Sequence, residues 1–362
     1  MVSMIGLFLA GLTALVIGAE VLVRGASRLA LSWGISPLVV GLTIVALGTS
    51  APEVAVAIGA SLDGKVNIAM GNVVGSNIFN VLFVLGLSAI IAPLFVDKQI
   101  IRQEVPIMVG TAVLLMVFSL DGRLSTPESI LLCGLLIAYT AFLIIQSRRQ
   151  NDNSPCDYDE IAKNQSKWDA HWGVQLLLIV AGLVLLVMGS RWLVNASVAF
   201  ARDLGVSDLI IGLTIVAAGT SMPEVAASVM ASLRNQRDIA IGNVVGSCIF
   251  NILGSLGIAG IVAPGGLLVA KAILNFDIWV MLAVSFACLP VFVTGRRIAR
   301  WEGMVFLGYY VAYTTYLILA AQGHEALEPF STAMMSFVIP LTIVTLVVVM
   351  IRPRALEPKQ RE

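Results

Sequence analysis

The sequence predicts an all-α polytopic membrane protein made of two inverted-topology repeats of five transmembrane helices, plus one extra C-terminal helix. Three observations predict it. Of 362 residues, 58% are hydrophobic and only 12% are charged, about half the charge of a typical soluble domain. Apolar runs recur along the whole chain, each of roughly 20 residues and so long enough to cross a ~30 Å hydrocarbon core as a helix. The chain also repeats itself at an offset of 171 residues.

At that run length helices are the spanning element, because a helix satisfies its own backbone groups in lipid. Eleven candidate spans read approximately 3–23, 37–62, 68–92, 104–120, 127–146, 172–194, 207–232, 239–263, 274–294, 302–321 and 333–351. The first lacks a basic leader and a small-residue cleavage site, so it reads as a retained helix rather than a signal peptide. Lysine and arginine then set the orientation. With the N-terminus outside, 17 of them fall on inner segments, among them Arg24, Lys98, Arg148, Arg234, Arg296 and Arg354. Only 5 fall outside: Lys65, Arg123, Arg191, Arg202 and Lys271. The expectation is an outer N-terminus and a cytoplasmic C-terminus. Cys133, Cys156, Cys248 and Cys288 show neither metal-binding nor redox spacing.

The repeat aligns without a gap from Gly18/Gly189 to Pro93/Pro264, and 27 of 40 positions are identical between 41–80 and 212–251. Farther on, YTAFLII (139–145) echoes YTTYLIL (313–319). Residues 1–146 therefore read as a first five-helix repeat, 147–170 as a cytoplasmic linker and 171–321 as a second repeat. Residues 322–362 read as an extra transmembrane helix with a cytoplasmic tail. Five is odd, so the second unit crosses the membrane in the opposite sense. Inverted repeats of this kind are characteristic of secondary transporters, whose site lies at the midplane where the repeats meet.

The second span carries GLTIVALGTSAPEV (41–54) and the seventh GLTIVAAGTSMPEV (212–225). Proline favours the first turn of a helix, and Ser50 is a suitable cap before Pro52. Each span therefore reads as a discontinuous helix: one half ends near Ala46–Gly48 or Ala217–Gly219, and the next begins near Ala51–Pro52 or Met222–Pro223. A break in lipid frees carbonyls, so it should line a polar cavity. The freed carbonyls of Ala46, Leu47, Ala217 and Ala218 sit at negative dipole ends. Thr49, Ser50, Thr220 and Ser221 add hydroxyls, and Glu53 and Glu224 add carboxylates. In the third and eighth spans, GNVVGSNIFN (71–80) and GNVVGSCIFN (242–251) place Asn72, Ser76 and Asn80, and Asn243, Ser247 and Asn251, four residues apart on one stripe. Gly71 and Gly75, like Gly242 and Gly246, form a small-xxx-small pattern suited to close helix approach.

Gly-x-x-x-Gly alone fits ordinary helix packing, and membrane Asn and Ser often serve as interhelical glue. The two glutamates are harder to dismiss. An ionised carboxylate at mid-span costs from about 2.5 to above 10 kcal/mol by different estimates, and neither span holds a basic residue to offset it. All the donors are hard oxygens, which suit Ca²⁺, Mg²⁺, Na⁺ or protons and disfavour zinc or copper.

GTSAPE…GNVVGSNIFN and GTSMPE…GNVVGSCIFN resemble the two alpha-repeats of the calcium/cation antiporter superfamily, most closely its prokaryotic sodium/calcium exchanger branch. The resemblance covers the chain to about residue 321. It implies exchange of Na⁺ for Ca²⁺ at sites between spans two, three, seven and eight, with no cofactor. Glu53 and Glu224 would be the central Ca²⁺ ligands, assisted by Thr49, Thr220 and the carbonyls of Ala46 and Ala217. Ser50, Ser76, Ser221 and Ser247 would help form Na⁺ sites, and Asn80 and Asn251 would complete the centre. Two departures stand out. Several family members carry Asp at one of the last two positions, and Cys248 replaces the Asn expected from its mate, Asn77. A prokaryotic cell membrane is the expected location, with Ca²⁺, Na⁺ and the lipid bilayer as partners and no nucleic acid. The alternative is Na⁺- or H⁺-coupled transport of another divalent ion such as Mg²⁺. A hydrolytic membrane enzyme is disfavoured, because there is no GxSG motif and both histidines lie outside the spans.

Overall fold

A computed structural model describes residues 2–151, 171–204, 211, 214–215 and 217–351. Most of the expected linker, and the tail beyond residue 351, lie outside the described residues. Among the described residues, nine helices are long and apolar enough to cross a bilayer, and a broken pair makes a tenth. In chain order the first span is Met4–Trp33, and the second is Pro37–Thr49 followed by Ala51–Leu62. The third to sixth are Ile68–Ile91, Ile100–Ser119, Thr126–Ser147 and Trp172–Asp203. The eighth to eleventh are Arg237–Val262, Ile273–Arg296, Arg300–Gln322 and Leu327–Thr345. Of the expected seventh span, the structure describes the short turn Ala217–Gly219 and the helix Met222–Leu233, while most of 205–213 lies outside the described residues.

The third and eighth spans form the centre of the bundle. Their most apolar windows are 72% and 89% buried, against 0% for the eleventh. A helix enclosed on all sides can spend positions on polar side chains that face neighbouring helices rather than lipid. Both spans pass into a wide π-helical stretch at equivalent points, Asn80–Leu85 and Asn251–Leu256, and such stretches occur often at functional sites.

The helical bundle also contains two small β ribbons, which the sequence pattern did not predict. Leu94–Phe95 pairs antiparallel with Arg297–Ile298, and Arg123–Leu124 with Leu267–Leu268. These two-residue strands give the interhelical loops backbone partners they would otherwise lack. The loop between spans three and four therefore shares a face with the loop between nine and ten. The loop between four and five likewise meets that between eight and nine.

The first and sixth spans pack with backbone against backbone. A Cβ at Gly182 would lie 2.7 Å from the Leu22 nitrogen and 2.8 Å from the Gly18 oxygen, and one at Gly18 would lie 2.9 Å from the Gly182 oxygen. Glu20, four residues before Arg24, is joined to Arg234 by an ion pair and two hydrogen bonds. This contact ties the first span to the end of the seventh.

Two further ties hold the periphery. The Tyr139 hydroxyl donates to Glu104 at 2.6 Å, joining spans four and five, and Tyr313 donates to Asp277 at 2.8 Å, joining nine and ten. Each carboxylate closes a π-helical turn, Ile100–Glu104 or Ile273–Asp277. Gln99 and Gln103 also donate to Glu104, at 2.9 and 2.7 Å.

Glycine substitution separates close approach from helix propensity. Gly182→Ala is expected to lower thermal stability in detergent by about 1–3 kcal/mol through overpacking. Among the described residues no atom lies within 4 Å of a Cβ placed at Gly59. Gly59→Ala should therefore be neutral or stabilising, by up to about 1 kcal/mol, because alanine is the better helix former. Equal melting temperatures for the two variants would show that the first and sixth spans can separate without cost.

Candidate cation-binding site

The second span bends by 43° at its break. Ser50, at φ −80° and ψ 5°, is the single non-helical residue between Thr49 and Ala51. Ser221 occupies the same place before Met222, at φ −89° and ψ 9°. Pro52 and Pro223 then fall in the first turn of the second half-helices, where their missing N–H is not required. Glu53 and Glu224 follow directly and share that turn, so each carboxylate sits at the positive end of a helix dipole.

The break differs from the expectation in two respects. Ser50 makes no capping bond with its side chain, and neither does Ser221. Each hydroxyl crosses instead to the glutamate of the other half: Ser50 Oγ donates to Glu224 Oε1 at 3.0 Å, and Ser221 Oγ to Glu53 Oε1 at 2.8 Å. A bond donated to a carboxylate is charge-assisted and about twice as strong as a neutral one, which favours the rotamer that reaches the glutamate over the one that accepts from the local backbone N–H. Nor does the break leave the Ala46 carbonyl bare, because the Ser50 N–H donates to it at 3.0 Å, with the Thr49 hydroxyl oxygen 3.4 Å away and its proton given to Asn243. Its second lone pair remains for another partner. Ala217 belongs to the equivalent turn, Ala217–Gly219. Gly219 lies four residues before Pro223, and its carbonyl accepts the Ser190 hydroxyl of the sixth span at 2.5 Å. The mate of Ser190 is Ala19, which has no hydroxyl to offer Gly48.

The third and eighth spans close around this pair. Ser76 Oγ lies 3.3 Å from Glu53 Oε1 and 2.9 Å from Ser221 Oγ. With one proton on each hydroxyl, this triangle holds two donated bonds. Asn251 Nδ2 donates to Ser76 Oγ and to Asn77 Oδ1, both at 3.1 Å. The Thr49 hydroxyl donates to Asn243 Oδ1 at 3.0 Å, and Asn243 Nδ2 donates to Ser228 Oγ at 2.9 Å. Thr49 also lies beside Glu224, and Thr220 beside Glu53. Gly242 and Gly246 allow the expected close approach, with Cβ positions 2.8 Å from the Leu38 oxygen and 2.9 Å from Ala46 Cβ. Among the described residues Gly71 and Gly75 do not: a Cβ at Gly71 would lie 3.7 Å from Ile273, and one at Gly75 would meet nothing within 4 Å.

Glu53, Glu224, Ser50, Ser221, Ser247, Asn80 and Asn251 are all 0% exposed. The atoms among them without a hydrogen-bond partner are mostly oxygens: Glu53 Oε2, Glu224 Oε2, Asn80 Oδ1, Asn251 Oδ1 and Ser247 Oγ, with Asn80 Nδ2 as the exception. Buried polar atoms are ordinarily paired, so these five unpaired oxygens are candidate ligands for a cation. No basic side chain is paired with either glutamate among the described residues, and the two carboxylates repel each other. Nor do the described residues contain a cluster of three or more His, Cys, Asp or Glu. Two carboxylates surrounded by neutral oxygens are the chemistry of a hard cation.

Hydrogen bonds link Ser50, Ser76, Ser221 and Asn251 to the glutamates or to one another, and Thr49 and Thr220 lie beside them, whereas Asn80 and Ser247 are buried without a hydrogen-bond partner among the described residues. The sequence reading missed the residues behind these side chains: Asn243 as a bonded bridge, Ser228, Ser190 and the bond between Asn251 and Asn77. For Asn243 and Asn77 the signal was available, since both lie in the duplicated GN-containing helices.

A family model described as sodium/calcium exchanger protein matches residues 3–145 and 174–319. The Alkalimonas amylolytica protein CaxA is 38% identical over 319 residues, covering 86% of this chain and 98% of its own. The sodium/calcium exchanger MaX1 of Methanosarcina acetivorans is 35% identical over 348 residues, with 86% and 97% covered. A solved structure of the sodium-calcium exchanger NCX_Mj, soaked with Na⁺ and Sr²⁺, superposes with a TM-score of 0.73 at 31% identity, covering 89% of this chain and 99% of that one.

Burial of both carboxylates sets a stability test. In cation-free buffer, Glu53→Gln is expected to melt above the wild type, because it removes the repulsion between two buried charges. Ca²⁺ at 100 times its dissociation constant should stabilise the wild type by about 2.7 kcal/mol and the variant far less. A variant that melts lower without cation yet keeps the full Ca²⁺ response would remove Glu53 from the ligand set.

Proposed function

The chain belongs to the sodium/calcium exchanger protein family, a family of membrane transporters rather than enzymes, and on that premise we propose that it exchanges Na⁺ for Ca²⁺ across a prokaryotic cell membrane by alternating access. The observation that carries the reading is the set of unpaired buried oxygens around Glu53 and Glu224. Glu53 and Glu224 supply the charge for Ca²⁺, with Thr49, Thr220 and the carbonyls of Ala46 and Ala217 around them. Ser50, Ser76, Ser221 and Ser247 contribute to Na⁺ sites, and Asn80 and Asn251 complete the centre.

Coupling follows from charge. Two carboxylates without counter-ions are costly to close off from water, since an uncompensated buried charge costs several kcal/mol. One Ca²⁺, or more than one Na⁺, removes most of that cost. Only a loaded site passes readily through the occluded state, so the carrier exchanges ions rather than leaking them.

The domain reading is two five-span units of opposite orientation, residues 1–146 and 171–321, joined by a cytoplasmic linker. Three pairings support it: the two β ribbons, the reciprocal approach of Gly18 and Gly182, and the crossed Ser50–Glu224 and Ser221–Glu53 bonds. The asymmetry of Lys and Arg places the N-terminus outside. Cysteines introduced at Lys65 and Lys271 should then react with an impermeant thiol reagent in intact cells, and one at Arg296 should not. The opposite labelling would invert the orientation.

Transport itself is tested in proteoliposomes loaded with Na⁺. An outward Na⁺ gradient should drive ⁴⁵Ca²⁺ uptake, and Glu53→Gln or Glu224→Gln should reduce it about 100-fold or more, since removing one partner of a buried ionic contact costs about 3–5 kcal/mol. Uptake that ignores the Na⁺ gradient, or that excess Mg²⁺ abolishes by competing as cargo, would replace this reading with another.

A further inference from the structure

The two central asparagines are related by the repeat, yet their surroundings differ. Asn251 spends both amide protons: Nδ2 donates to Ser76 Oγ and to Asn77 Oδ1, each at 3.1 Å. An amide group is planar, so fixing both N–H directions fixes its carbonyl oxygen as well. That oxygen, Asn251 Oδ1, is buried and has no hydrogen-bond partner. Asn77 is itself held in place, with Nδ2 donating to the Cys248 carbonyl at 3.2 Å and lying 3.7 Å from Met281 Sδ.

The repeat offset maps Ser76 and Asn77 onto Ser247 and Cys248, the equivalent neighbours of Asn80. There the bonds are not made. Asn80 Nδ2, Asn80 Oδ1 and Ser247 Oγ all lack partners among the described residues. A thiol is a weak acceptor and cannot replace an amide carbonyl, and Cys248 Sγ points instead to the Asn77 carbonyl, at 3.9 Å.

We propose that Asn77 is a positioning residue that holds the Asn251 carbonyl oxygen toward the cation, and that Cys248 leaves Asn80 without an equivalent guide, so that the two halves of the site bind Ca²⁺ unequally. Asn77 touches no ion in this scheme. It acts through Asn251, as the outer-shell partner of a metal ligand does. The inference rests on the exchange reading above, and it assigns the orientation of one ligand of that site to a residue outside the ligand set.

The test is a double-mutant cycle in Na⁺-loaded proteoliposomes, with the KM for Ca²⁺ and the maximal rate measured separately. Asn77→Ala is expected to raise the Ca²⁺ KM on the order of tenfold, the scale of losing an outer-shell partner, with a smaller change in maximal rate. In an Asn251→Asp background the same change should have little effect, because a carboxylate offers an oxygen in either orientation. Equal losses in the two backgrounds would show that Asn77 only packs the core, and would overturn the proposal. Should Asn77→Ala not fold, Cys248→Asn decides. It should lower the Ca²⁺ KM by orienting Asn80, with Cys248→Ser as the packing control, and an unchanged KM overturns the proposal. Absence of Na⁺-driven uptake in the wild type would instead overturn the exchange reading itself, and this inference with it.

Discussion

Glu53 and Glu224 are carboxylates at zero exposure, in the middle of membrane spans, with no basic partner among the described residues. The surrounding architecture answers that constraint. A continuous helix could not hold a carboxylate there with its own N-terminal dipole aimed at it, so each span breaks, at Ser50 alone in the second span and at Thr220–Ser221 in the seventh. The half-helix that begins there is anchored by a proline and offers its positive end to the glutamate. The Ser50 and Ser221 side chains turn to the glutamate of the other span rather than to the local cap position, donating a charge-assisted bond where a cap would accept a neutral one. One constraint thus accounts for the break, the proline and the crossed serines.

Breaking two helices at the centre of a bilayer is tolerable only if other helices enclose them. That role falls to the third and eighth spans, whose burial exceeds that of every other span described. They are also the helices that carry most of the side-chain amides at the site. Inside the bundle an asparagine finds partners, whereas on a lipid-facing helix it would not. The first and sixth spans stand outside this core and meet each other through glycine at backbone distance, which favours their acting as one body. The peripheral carboxylates Glu104 and Asp277 are handled differently: Tyr139, Gln99 and Gln103 donate to Glu104, and Tyr313 donates to Asp277. A carboxylate with its donors supplied is a structural tie, and one with an oxygen left bare is a candidate ligand.

Much of this was legible in the sequence because it is encoded by spacing and duplication. The spans, the breaks at Gly48–Pro52 and Gly219–Pro223, and the convergence of Glu53 with Glu224 all follow from local chemistry read twice. The destination of a hydroxyl was not legible. Ser50 before Pro52 looks like a cap in any sequence, and only the opposing glutamate, 174 residues away, reveals its real partner. The π-helical stretches at Asn80 and Asn251 left no pattern either, since they alter hydrogen bonding without altering composition. The loop ribbons are two residues long, too short for any alternation to register.

Duplication gives the site its symmetry, but transport does not require the two halves to bind alike. Backbone features follow the repeat closely: the breaks, the π-helical stretches and the ribbons recur at matched places. Departures appear in side chains, at Asn77 against Cys248 and at Ser190 against Ala19. Each changes a hydrogen bond rather than a volume, one at the amide beside the glutamates and the other at the carbonyl of a break. On the exchange reading, backbone geometry common to both repeats would fix where a cation sits and side-chain differences how firmly each half holds it; an exchanger that must release its ion to one face at a time has reason to make them unequal.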